Sequence, residues 1–416
     1  MKNLFLGVSG LAMMASVASA GGLDRSGQSV SAIFADDNTA SLSFGYVAPS
    51  ITGTDSQGAS YDVGNNYSQI GLSYTNSIND KVNYSVIFDQ PYGADVSYNT
   101  NPFISNLGGT GADLDSQAIS FVARFKLNDR ISFFGGIKGE AVEGEVSLNG
   151  TSYASAIAVN AVAGATPGVE AETLGAALQG DPDAIAALGG LAAVSALGTA
   201  VATQAGTFLT TGGYSFDMEK DTKVGYILGA AYEIPEIALR FALTYSPEIQ
   251  HKAKTTENIF GAVVTGDVEY VTPQSVNLEF QTGIAANTLL TAGYRWTEFS
   301  AVDVIPDALG SDLVNLDDSH RYSIGLARRY SDALASSITL TYEPEGEDNL
   351  VSPLGPTNGL FGVSIGARYS EGPLNISGGV NYTKVGDALA EVGGREAASF
   401  EDNHVWGVGF KAEMSF

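Results

Sequence analysis

Hydrophobic and polar positions alternate along most of this chain with a period of two. At the C-terminus Trp406, Val408, Phe410, Ala412, Met414 and Phe416 fall on one face, and Gly407, Gly409, Lys411, Glu413 and Ser415 on the other. Successive side chains of extended backbone point to opposite faces, so this period predicts a strand. The pattern returns at Leu42, Phe44 and Tyr46; at Ile70, Leu72 and Tyr74; at Ile119, Phe121, Ala123 and Phe125; at Leu239, Phe241, Leu243 and Tyr245; and at Phe361, Val363 and Ile365. A strand of about ten residues, apolar on one face and small or charged on the other, is the unit of a transmembrane β-barrel. The expected fold class is all-β: an antiparallel transmembrane barrel of about fourteen strands.

The connections agree with that reading. Asn79-Asp80, Asn128-Asp129, Ile234-Pro235, Ala286-Asn287, Ser331-Asp332 and Glu371-Gly372 predict tight turns. Between them lie long polar stretches, near 52–66, 99–114, 148–221, 253–273, 301–319, 344–359 and 384–403. Short and long alternate strictly. In an outer-membrane barrel the short turns face the periplasm and the long loops face outward.

Three segments fall outside the strand pattern. Lys2, the apolar run Leu4 to Val17 and Ala18-Ser19-Ala20 predict a secretory signal over 1–20. Residues 21–38 are small and polar and read either as a periplasmic tail or as a plug folded into the lumen, with the barrel proper at 39–416. The insertion 148–221 is Ala-rich, and Asp181-Pro182-Asp183 predicts a capped helix start, so two or three helices are expected on an extracellular loop. Its uncharged surface is a candidate for receiving a greasy ligand.

The net charge of −26 disfavours nucleic acid, and the absence of Cys removes disulfides and thiolate metal sites. His251, His320 and His404 stand in no triad or metal-ligand spacing, so no enzyme activity, metal or cofactor is expected.

The inward faces carry the candidate chemistry. Arg124, Lys138 and Arg295 face the predicted lumen, as do Phe134, Leu289 and Phe299. Apolar troughs beside cations suit an amphipathic carboxylate, although inward Glu140, Glu279 and Glu413 are alternative partners for the same cations. In the third strand Asp89-Gln90-Pro91-Tyr92-Gly93 interrupts the alternation. Pro91 lacks an N–H and Gly93 permits a bend, which predicts either a simple bulge or a gap in the wall.

With these residues assembled, the whole mature chain resembles the outer-membrane long-chain fatty acid transporter family (FadL/TodX-like). The resemblance rests on Leu42 to Thr54 (first strand), Asp89 to Tyr98 (kinked third strand), Thr272-Pro273-Gln274-Ser275 and Tyr294 to Phe299 (eighth and ninth strands). It implies a monomeric barrel in outer-membrane lipid, closed by an N-terminal hatch. A fatty acid or other hydrophobic ligand is captured on the extracellular loops, bound in the lumen and released sideways at the strand-three kink. The family's hatch carries Asn-Pro-Ala where this chain has Asp37-Asn38-Thr39-Ala40. A general porin and a surface receptor barrel are the competing functions.

Overall fold

The computed structural model describes residues 23–346 and 350–416; the signal segment expected at 1–20 lies outside them. Fourteen antiparallel strands close a barrel: β1 (Thr39–Ser50), β2 (Tyr67–Asn79), β3 (Val82–Asp89, resuming as Gly93–Ser97), β4 (Gly111–Lys126), β5 (Ile131–Leu148), β6 (Tyr214–Ile234), β7 (Leu239–Ser246), β8 (Ser275–Ala285), β9 (Thr288–Thr297), β10 (Ser319–Arg329), β11 (Leu334–Glu343), β12 (Leu360–Glu371), β13 (Leu374–Val385) and β14 (His404–Ser415). β1 pairs with β14 over its whole length, bringing Phe44 opposite Phe410, and this pairing closes the ring. Closure leaves no barrel edge, the condition for placing a sheet in lipid, where unpaired backbone groups have no water to bond.

The apolar set of each strand points out. Leu42, Phe44, Leu72, Phe121, Leu228, Leu243, Ile324, Ile365 and Phe410 are all exposed on the outer wall. At its extracellular rim Tyr294 packs on Tyr322 (5.2 Å) and Tyr382 on Trp406 (4.8 Å), amphipathic rings that suit a headgroup boundary. The six expected tight turns all join consecutive strands at the opposite end.

Two expectations for the loops are corrected. Residues 253–273 are not a loop: Ile249–Ile259 and Ala262–Thr272 form a hairpin that rises above the barrel and pairs with the upper part of β6. The hairpin buries His251, Ala253, Thr255 and Glu257 from its first strand, where hydrophobic alternation is missing, and Val268 and Tyr270 from its second. Its turn holds Phe260 and Gly261 at positive φ (51° and 76°), as a two-residue hairpin turn requires, without an Asn-Gly signature. The stretch 214–221 belongs to β6, not to the insertion. Likewise the Leu42–Thr54 stretch breaks at Ile51, and Thr52–Thr54 joins a separate small sheet with Ser60–Asp62, Leu350–Val351, Ala388–Glu391 and Glu396–Phe400.

That small sheet caps the extracellular end over a core of Tyr61, Tyr98, Leu107 and Phe400. Asp55 organises it by accepting from Asn106 N (2.7 Å), Ala59 N (2.9 Å) and Tyr61 Oη (2.5 Å). Partial burial raises the Asp55 carboxyl, but the hydrogen bonds outweigh it and hold the group below its ordinary value. A depressed carboxylate contributes stability above its unfolded pKa and loses it as the pH falls through the folded one. The protection of the amides in 55–61 relative to their intrinsic exchange rates is therefore expected to fall as the pH is lowered below about 4, and Asp55→Asn should abolish that step.

Helices α1 (Thr151–Ala165), α2 (Ala171–Leu178), α3 (Pro182–Ala187) and α4 (Leu191–Thr210) connect β5 to β6. α3 starts as its sequence predicts, with Asp181 Oδ1 accepting from Ala184 N at 2.9 Å. Ala158, Val162, Leu174 and Val201 form the lobe's own core. α4 is apolar enough to span a bilayer by composition, but both ends of the lobe are tied to the long-loop end of the barrel through Leu148 and Tyr214.

Candidate functional site

The functional geometry begins with the first described residues. Residues 23–38 run inside the barrel. Val30, Ile33 and Phe34 pack against Val122, Phe134, Ile227 and Ala242 of the inner wall. Polar wall groups hold the backbone: Asn277 donates to Gly27 O (3.0 Å), Thr75 to Ala32 O (2.8 Å) and Asn83 to Ile33 O (2.7 Å). The charged groups are anchored as well. Asp24, 1% exposed, receives Arg295 Nε at 2.6 Å, with Arg321 at 3.9 Å. Lys138 reaches both Glu140 (2.8 Å) and Gln28 (2.8 Å), and Gln28 donates to Tyr92 Oη (2.6 Å).

The second feature is a break in the wall at β3. Against β4, residues Asp89 and Gly93 stand opposite Ala118 and Asp115, so β3 advances four positions while β4 advances three. That is a bulge. Against β2, Leu72 pairs with Phe88 and Gly64 bridges Val96, eight residues apart on each strand, so the two strands part and rejoin without slipping. Between those points β2 carries no ladder pairs to β3. The opening sits where Pro91 has no N–H to donate. Gln90 Oε1 accepts from Ile70 N (2.8 Å) in place of a backbone partner. From the lumen side the N-terminal segment acts as a surrogate strand: Gly93 N donates to Leu23 O (2.9 Å) and Arg25 N to Pro91 O (2.8 Å). The Arg25 guanidinium lies 4.1 Å above the Tyr67 ring and 3.8 Å from Asp115. A Cβ on Gly93 would meet that guanidinium at 2.3 Å, so glycine is what lets Arg25 seat here.

The third feature is the contrast between the spaces above and below the segment. Above it lies a cavity of about 710 Å³ lined by Leu114, Val142, Phe216, Phe299, Leu313 and Leu354, with Leu23, Tyr92 and Ala94 on its kink side. A smaller space of about 80 Å³ shares Ala94 and leads to Arg25, Gly64 and Tyr67 at the wall break. Below the segment a chamber of about 610 Å³ is lined by Ser41, Ser43, Ser73, Thr339, Arg368 and Lys411. The upper space is the more apolar of the two; the lower mixes these polar groups with Phe34, Ile87 and Phe88, and Gln69–Leu72 and Ile87–Gln90, which flank the wall break, line it as well.

The profile of the outer membrane protein transport protein family (OMPP1/FadL/TodX) matches residues 12–393. The chain belongs to this family. No curated protein sequence matches it. Among solved structures it is similar to a FadL homologue of Pseudomonas aeruginosa (16% identity, TM-score 0.67, 97% of this chain and 98% of that one). It is also similar to the toluene transporter TodX of P. putida (15%, 0.64, 98% and 99%) and the toluene transporter TbuX of Ralstonia pickettii (14%, 0.59, 98% and 100%). At such identities the likeness shows the barrel fold. Family and fold together place the chain in the bacterial outer membrane.

Within this OMPP1/FadL/TodX barrel the residues singled out by sequence go to different places. Arg124 pairs with Glu233, donates to Ser132 Oγ (2.9 Å) and lies 4.5 Å from the Phe34 ring centre. Phe134 meets Phe34 edge-on at 5.9 Å. Lys138 and Arg295 hold Gln28 and Asp24. These four residues grip the N-terminal segment. Leu289 is buried near the periplasmic turns with Ala238, Ala327 and Ala335. Phe299 lines the upper cavity and packs on Tyr92 at 6.1 Å. Of the kink residues, Asp89 accepts from Ser26 Oγ (2.6 Å) and Tyr92 N donates to Ser116 Oγ (2.7 Å). Among the inward acids, Glu140 and Glu413 pair with Lys138 and Lys411, while Glu279 accepts from Ser29 Oγ (2.8 Å).

Sequence reasoning passed over Asp24 and Arg25. They are the only charged residues between Lys2 and Asp36, a signal that could have drawn attention to them. It also passed over Ala112 and Leu114, which were assigned to a loop although they continue the inward alternation of β4.

Proposed function

We propose that this protein is a passive uptake channel for hydrophobic compounds, with entry at the extracellular loops, binding in the upper cavity and release sideways through the break between β2 and β3. The observation that carries the reading is the apolar cavity that shares Ala94 with a small side space at the one interruption of the β2–β3 wall, while the chamber below, which also borders that interruption, is lined by Ser41, Ser43, Ser73, Arg368 and Lys411 beside its apolar groups. A lipophile gains about 0.8 kcal/mol per buried CH₂ in the upper cavity and would give part of it back among the Ser, Thr, Arg and Lys side chains of the lower chamber. Descent to the periplasm is uphill, and the lateral route returns it to hydrocarbon.

Residues 23–38 act in this reading as the hatch, and Arg25 as its stop at the opening. Arg25→Ala removes the group that fills the gap and is expected to raise the initial rate of lipophile uptake several-fold. Gly93→Ala, which displaces the same guanidinium, should act in the same direction. The reading is tested with Ala112→Trp, which fills the upper cavity. Toluene or hexadecane uptake by cells carrying it should drop about tenfold, with the folded barrel still resistant to detergent at room temperature. Unchanged uptake would take the cavity off the route.

A further inference from the structure

The upper cavity is apolar, and apart from one histidine the side chains along it that can carry charge are carboxylates. Asp317, Asp318, Glu343, Glu345 and Glu391 line it, and among the described residues no Lys or Arg does. Its one basic group is His320, whose Nδ1 stands 2.9 Å from Tyr294 Oη. The acids are seated in the structure. Glu343 is 3% exposed and shares Arg321, at 3.6 Å, with Asp24. Asp318 accepts from Trp296 Nε1 (3.1 Å) and Ser300 Oγ (2.7 Å).

The luminal cations are committed elsewhere. Arg124 is paired to Glu233, Lys138 to Glu140 and Arg295 to Asp24. Lys411, paired to Glu413 at 3.1 Å, and Arg368 line the lower chamber, which is bounded by residues 26–36 of the N-terminal segment. A lipophilic carboxylate entering the upper cavity would exchange water for hydrocarbon with no counter-ion and with acids along the walls. An unpaired buried charge is so unfavourable that the group neutralises instead. The approach is no easier, because the chain's net charge of −26 repels anions before they arrive.

We infer that the upper cavity selects uncharged lipophiles over lipophilic carboxylates. This rests on the uptake reading above and goes further, since the apolar trough alone fits both classes. The cations expected from sequence to orient a head group are absent from the cavity because Arg124 and Lys138 are paired to the wall acids Glu233 and Glu140, and Arg295 to Asp24 of the hatch.

The test uses the purified full barrel in a non-ionic detergent at pH 7.5, loaded with the uncharged fluorescent probe N-phenyl-1-naphthylamine. Dodecan-1-ol and dodecanoate are then compared as displacing ligands, chains of equal length that differ in charge. Dodecan-1-ol is expected to displace the probe at a concentration at least tenfold below that of dodecanoate. Equal or better displacement by dodecanoate would overturn the charge selection and leave the uptake reading standing. If neither the probe nor the alcohol binds, the cavity is not a lipophile site, and both readings fall.

Discussion

Replacing Pro91→Val together with Gly93→Ala is expected to lower lipophile uptake at least tenfold while leaving probe binding in the upper cavity intact. β2 and β3 part after Leu72 opposite Phe88 and meet again at Gly64 opposite Val96, with equal residue counts between. No slip has to be undone for the strands to close. What the ladder lacks is the N–H at position 91, and a β-branched residue there supplies both the donor and a preference for extended backbone. Ala at 93 displaces the Arg25 guanidinium from the gap, which the second strand can then fill. Binding and uptake should therefore separate: the ligand still enters but has no exit. Uptake at the wild-type rate in a variant whose exchange data show a continuous β2–β3 ladder would exclude the lateral route.

Asp24→Ala is the second substitution with a large expected effect. It strands the Arg295 guanidinium, 7% exposed, and removes a partner of Arg321. Removing one partner of a buried ion pair costs about 3–5 kcal/mol, because the other charge stays buried without compensation. The barrel need not bear that cost. Residues 23–26 are joined to the wall by Asp24, by the hydrogen bonds to Pro91 and Gly93, by Arg25 and by Ser26 Oγ donating to Asp89 (2.6 Å). Undocking this strip lets water reach Arg295, and it caps the penalty at the docking free energy of the strip. The expected result is an unchanged barrel melting temperature, rapid tryptic cleavage after Arg25 and a raised single-channel current. Adding Arg295→Met should restore protection, since it removes the stranded charge. Wild-type protection in Asp24→Ala alone would show that the hydrophobic anchors Ile33 and Phe34 hold the hatch unaided.

The candidate site was legible to unequal degrees. The kink could be read from Pro91 and Gly93 because both residues act through local backbone chemistry. The inward position of Arg124, Lys138, Arg295 and Phe134 could be read from parity along each strand. Their partners could not. Parity states which side of the wall a residue occupies, but not what fills the space it faces. Each of these residues turned out to face the N-terminal segment, whose own sequence carries no strand period. The hairpin at 249–272 was missed for a related reason: its first strand turns His251, Thr255 and Glu257 inward and satisfies them from distant residues, as when Glu257 accepts from Ala308 N (3.0 Å) and Leu309 N (3.1 Å), and only Val268 and Tyr270 of its second strand join the hydrophobic core with Ala253.

The sequence by itself determined the cylinder. Two-residue sidedness, tight turns alternating with long loops and an apolar face on every strand admit few folds, because lipid requires a closed sheet with its greasy side outward. Only the tertiary structure decided what the interior does. It spent the luminal cations on Asp24, Glu140 and Glu233, seated Arg25 in the wall break, and left the upper cavity apolar and edged with acid. Those outcomes depend on which distant charges meet once the chain has folded through its own lumen, and pairings of that kind have no period along the chain.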